Sequence, residues 1–129
     1  MLNKLITKAK EIGVNIGIEA FKGEGYHYYD QVNNKIMLDN TAEEITMVDI
    51  VHEYTHHLQW TNGYRLQMIK ELNTKEYDQR SYEYHAEIVG THYEEFLING
   101  KLNVTEILSY YEDIIAYFYN EGELIWKIL

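Results

Sequence analysis

Apolar residues change their spacing along this chain, and the changes mark out its elements. In residues 2–11, Leu2, Leu5, Ile6 and Ala9 recur at intervals of three and four, which predicts a short helix ended by Gly13. Residues 14–21 alternate instead. Val14, Ile16, Ile18 and Ala20 fall on one side and Asn15, Gly17 and Glu19 on the other, the pattern of a half-buried strand. A turn at 22–25, Lys-Gly-Glu-Gly, leads into an aromatic second strand at 26–30. The pair Asn33-Asn34 and a third strand at 35–39 complete an expected antiparallel hairpin.

Beyond residue 40 the period becomes 3.6. Thr41 followed by Glu44 is a capping-box pattern, and it predicts a helix over 42–61 that stops at Asn62-Gly63. Met47, Val51, Tyr54 and Leu58 form its apolar stripe. Leu66, Ile69 and Leu72 predict a further helix over 64–73, and a polar loop runs on to Asp78. Residues 79–98 read as another helix, stopped by Asn99-Gly100. Asn103 or Thr105 caps a final helix whose buried stripe is Val104, Ile107, Leu108, Tyr111, Ile114, Ile115 and Phe118, with Gly122 interrupting it before Leu124–Leu129. This order predicts an α+β fold in one domain, 1–129: a small, mostly antiparallel three-stranded sheet and a mainly helical C-terminal half.

Composition narrows the chemistry. The 129 residues include no cysteine, so a metal can be held only by His, Asp or Glu, and thiol catalysis is excluded. Acidic residues outnumber basic ones 21 to 11, and Arg65 and Arg80 are the two arginines. That balance speaks against a nucleic-acid partner, since phosphate backbones are held by clustered Lys and Arg. Lysines interrupt residues 1–11, so no secretory signal is expected there. No run approaches the roughly 18 apolar residues of a membrane span. The expectation is a cytoplasmic protein with no membrane partner.

The informative stretch is His52-Glu53-Tyr54-Thr55-His56, a His-Glu-x-x-His pattern in the middle of a predicted helix. Positions i and i+4 share a helix face, so both imidazoles point the same way, about 6 Å apart along the axis. That spacing suits two nitrogen ligands of one Zn²⁺. Glu53 lies about 100° round from His52, placed to act as a general base beside the metal rather than as a ligand. A shuffled chain of this composition would contain the pattern about 0.03 times. The third ligand must come from elsewhere. Glu83 and Glu87 share a face of the 79–98 helix, with Glu83 the expected ligand and Glu87 the expected acceptor of a hydrogen bond from a ligand imidazole. Glu87 or His85 are the alternatives, although His85 lies on the opposite side of the helix from Glu83. Ala86 and Gly90 would let the two helices approach closely. Tyr77, Tyr82, Tyr84, His85 and His92 are candidate donors to an oxyanion. His57 reads as a surface or supporting histidine, and His27 as a possible substrate contact.

Residues 26–57, an aromatic strand, a turn, a Lys-Ile-x-Leu strand and the His-Glu-x-x-His helix, resemble the minimal zinc metallopeptidases of the ImmA/IrrE type, a gluzincin-like group of zincins. Glu83-Tyr84-His85-Ala86 is similar to that family's later Glu-x-x-Ala pattern, and Glu87 matches the carboxylate that gluzincins carry four residues after the ligand Glu. His85 stands where the family often has a second Glu, and 103–129 matches nothing in it. The resemblance covers about 14–98. It implies peptide-bond hydrolysis by zinc-activated water with Glu53 as base, a protein or peptide substrate such as a repressor-type transcription factor, and a substrate-binding sheet edge at 26–30 or 35–39. The rival expectations are a non-proteolytic module that keeps its metal and binds or inhibits a partner, and a metal-free helical interaction domain.

Overall fold

The computed structural model describes residues 2–11, 16–19, 27–39, 45–96 and 102–119. Its elements are α1 (Leu2–Glu11), β1 (Ile16–Glu19), β2 (Tyr28–Asp30), β3 (Lys35–Asp39), α2 (Met47–Thr61), α3 (Arg65–Thr74), a 3-10 turn (Tyr77–Gln79), α4 (Ser81–Thr91), α5 (Tyr93–Phe96) and α6 (Val104–Tyr117). The fold is α+β, with one small sheet and a mainly helical C-terminal half. The turn expected at 22–25, the Thr41 cap, the Asn99-Gly100 stop and the segment from Gly122 onward lie outside the described residues.

The sheet is mixed rather than mostly antiparallel. Its strand order is β1-β3-β2, with β2 antiparallel to β3 and β1 parallel to β3. Alternation says that a segment is a strand but not which neighbour it takes. Because β1 joins the far side of β3 rather than β2, it lies beside a strand that runs its own way. β3 is therefore central, and Ile36, Met37, Leu38 and Asp39 are all buried, as suits a strand covered on both sides. Residues 35–39 thus form no free edge. The hairpin turn bends at Asn34, which takes φ of 51°, while Asp30 Oδ1 accepts from the backbone N–H groups of Val32 and Asn33.

Helix α2 begins at Met47, with Thr46 as its cap. Thr46 Oγ1 accepts from Asp49 N, and Asp49 Oδ2 accepts from Thr46 N at 2.9 Å, a complete capping box. The helix closes through Asn62, and Gly63 follows with φ of 103°, a conformation open to glycine at little cost. Its stripe of Met47, Val51, Tyr54 and Leu58 is buried with Ile36, Leu38, Val89 and Ile107 in one core. Helix α4 packs along α2. A Cβ on Gly90 would stand 3.1 Å from the Val48 carbonyl oxygen and 3.5 Å from His52 Cβ, so the absence of a side chain there sets how near the helices come.

Helix α3 forms where its spacing predicts, but its apolar stripe faces outward. Leu66 is 83% exposed, and Ile69 and Leu72 are exposed too. The fully buried side chain of α3 is Glu71, which accepts from the backbone N–H and the hydroxyl of Ser81 and from Gln67 Nε2. Its carboxylate caps the N-terminus of α4 from a neighbouring helix, where the unpaired N–H groups and the dipole favour an anion. The helix expected over 79–98 is broken at His92 into α4 and α5.

Candidate metal centre

The central turns of α2, held by caps at both ends, carry His52, Glu53 and His56. One ligand atom from each of the three lies within 4.8 Å of the others, so this group could hold a metal ion. The two imidazoles meet edge to face with ring centres 4.9 Å apart. Across from them, α4 brings up Glu83. Its Oε1 is 2.8 Å from His56 Nε2 and 3.2 Å from His52 Nε2. Both rings therefore present the same nitrogen to one carboxylate oxygen. In a tetrahedral site with zinc bonds of 2.0–2.1 Å, ligand atoms stand about 3.3 Å apart. Two imidazole nitrogens and a carboxylate oxygen at these separations are a donor set that fits a divalent cation.

Electrostatics follow from the enclosure. Burial pushes the Glu53 carboxyl above the ordinary carboxylate value, and the imidazoles of His56 and His52 pull it partly back. Burial works to raise the Glu83 carboxyl too, but hydrogen bonds from His52 and His56 and their charge hold it far below its usual range. Burial works to lower His56; the hydrogen bond to Glu83 and the charges of Glu83 and Glu53 outweigh it and push the ring up to about 9. Without a metal, the charged form of the His56 ring is therefore favoured beside Glu83. A cation bound there takes the place of that proton.

The remaining expected residues divide sharply. Glu87 Oε2 stands 3.5 Å from His52 Nδ1, on the solvent side. Tyr77, exposed at the rim, donates from its hydroxyl to Glu83 Oε1 at 3.4 Å; burial of its ring and the charges of Glu83 and Glu53 push that hydroxyl up to about 12. Tyr82 packs its ring edge against His56 at 5.6 Å. His85 is turned away from the site and fully buried, and Tyr84 packs on Phe118. The His92 ring contacts the Ile88 carbonyl. His57 points to the hairpin, with Nδ1 2.7 Å from Asn34 Oδ1 and its ring stacked on Tyr54. His27 is engaged by β3, accepting at Nδ1 from Asp39 N, with Nε2 3.9 Å from Asp49.

Sequence reasoning passed over Gln59. Its Oε1 lies 2.9 Å from His56 Nδ1, deep in the core. The legible signal was its spacing: three residues after His56, it shares that face of α2.

No family model, no curated protein and no solved structure matches this chain. Among the described residues no helix is long and apolar enough to cross a membrane.

Proposed function

We propose that this chain is a cytoplasmic zinc-dependent metallopeptidase of the ImmA/IrrE type that hydrolyses bonds in a protein or peptide substrate. One observation carries the reading: His52 and His56 turn their Nε2 atoms to a single oxygen of Glu83, with the buried carboxyl of Glu53 on the same helix turn. In the reading, His52, His56 and Glu83 hold the ion. Zinc held there would supply a Lewis acid for the attack of water on a peptide carbonyl. Glu53 accepts a proton at its carboxylate and returns it to the departing amine. Its burial supports this role, because a carboxyl raised above its ordinary value holds a proton more readily once it has taken it. Tyr77, at the rim, turns its hydroxyl from Glu83 Oε1 to donate to the developing oxyanion. Glu87 steadies the His52 ring from outside.

The test combines metal analysis with a peptide library. The purified chain should retain one equivalent of zinc and cleave members of a proteome-derived peptide library, read by mass spectrometry. Glu53→Gln should keep the zinc and cleave nothing. A chain that takes up no zinc, or a variant that cleaves as well as the wild type, overturns the proposal.

A further inference from the structure

The ring nitrogen of His56 that faces away from Glu83 leads into a row of buried polar groups crossing three helices. The row begins at a backbone carbonyl, Tyr82 O, which can only accept. Gln59 Nε2 is 3.0 Å from it, so the nitrogen side of that amide faces α4. The same NH₂ has a second proton, and His85 Nδ1 lies 2.9 Å away to receive it. His85 therefore carries its own proton on Nε2, which donates to Ile107 O at 2.9 Å. That carbonyl, on α6, can also only accept. Both ends of the row force the same assignment. What remains of the amide is Oε1, an acceptor, 2.9 Å from His56 Nδ1.

We infer that Gln59 and His85 are positioning residues: they keep the proton of His56 on Nδ1 and hold its Nε2 toward the metal-binding face. This rests on the metal reading above and adds to it the residues that set one ligand's tautomer and angle. Gln59 and His85 are both fully buried, so water cannot substitute for either. The rings have little freedom. His85 stacks on buried Tyr111 with centres 4.7 Å apart and planes 8° from parallel, and Tyr82 closes one side of His56. A ligand imidazole whose other nitrogen donates to a fixed acceptor is oriented, and its free nitrogen is a better donor to a metal. Through the Ile107 carbonyl and the ring of Tyr111, α6 is connected to this row.

The experiment uses the full chain labelled with ¹⁵N-histidine, without and with zinc, and a chromophoric chelator competing for the metal. The ring-nitrogen spectrum of the wild type should show His56 Nδ1 protonated in both states and zinc on Nε2. Gln59→Leu, which removes the acceptor, should lose 10- to 100-fold in zinc affinity. Gln59→Glu offers His56 Nδ1 an acceptor but gives Tyr82 O and His85 nothing. It should recover most of the affinity while staying less stable than the wild type. A merely structural role would weaken zinc binding equally in both variants, which overturns the inference, as does unchanged affinity in Gln59→Leu. If neither variant folds, the wild-type spectrum decides, and zinc on Nδ1 overturns it. A wild type that binds no zinc removes the metal reading and this inference together; zinc bound with the wrong nitrogen removes only the inference.

Discussion

Glu83 Oε1 stands 2.8 Å from His56 Nε2, so α2 and α4 meet on one carboxylate oxygen although the two residues are 27 apart in the chain. The same oxygen is 3.2 Å from His52 Nε2. Removing it takes a partner from both rings at once. Glu83→Ala should weaken zinc binding by well over tenfold, about the effect of losing an anionic oxygen ligand. Competition against a chromophoric chelator measures this, and normal affinity would refute Glu83 as a ligand.

Glu53 shares the helix turn but is assigned to proton transfer, so its loss should separate binding from chemistry. Glu53→Gln should retain one zinc and lose about 10²- to 10⁴-fold in the rate of peptide cleavage. Metal analysis and a single peptide substrate taken from the library provide both readings. Loss of zinc from this variant would move Glu53 into the ligand set.

Tyr77 is the oxyanion candidate whose hydroxyl donates to Glu83 Oε1, at 3.4 Å. Tyr77→Phe should lower kcat by about 10²-fold with little change in KM, because a donor aimed at developing charge acts in the transition state. Tyr84→Phe, whose ring packs on Phe118, serves as the control and should leave kcat unchanged. Equal effects from the two would discard the assignment.

His85 gives the metal-free fold a pH dependence of known sign. Burial drives its pKa from 6.5 down to about 4, with a smaller push from His56 that the bond to Ile107 opposes. The unfolded chain thus binds a proton more readily than the folded one. The contribution is whole above pH 6.5 and is lost as pH falls toward 4, a change on the order of 3 kcal/mol. His85→Phe should be less stable than the wild type at pH 7, with the gap narrowing by about that amount at pH 4. Urea unfolding of both proteins in a chelator measures it; a gap independent of pH contradicts the assignment.

Glu71 is expected to matter to the fold and not to the metal. Glu71→Ala strips the N-terminus of α4 of its cap and takes the carboxylate acceptor from the Ser81 N–H and hydroxyl. The cost should be about 2–4 kcal/mol, seen as a lower Tm. Zinc affinity of the folded fraction should stay near that of the wild type.

Much of the site was legible because its geometry is local. Four residues along a helix make one turn, so His52 and His56 share a face whatever surrounds them, and Glu53 follows from the same arithmetic. The face shared by Glu83 and Glu87 was equally readable. Gln59 was not singled out, since a glutamine on an amphipathic helix acquires meaning only from what packs against it, here Tyr82 and His85 on another helix.

Spacing in the sequence by itself determined where helices and the hairpin form, though not the break at His92, and the pairing of two imidazoles, because each depends on neighbours within a few residues. It could not determine which face of α3 is covered. Leu66, Ile69 and Leu72 have helical spacing but point outward, while a buried acid serves the next helix. Nor could it tell that β1 would pair with β3, or that a carbonyl of α6 would stand at the end of a row leading to His56. Those are contacts between segments far apart in the chain, and only the closing of helix on helix, which favours pairing of the polar groups it buries, decided them.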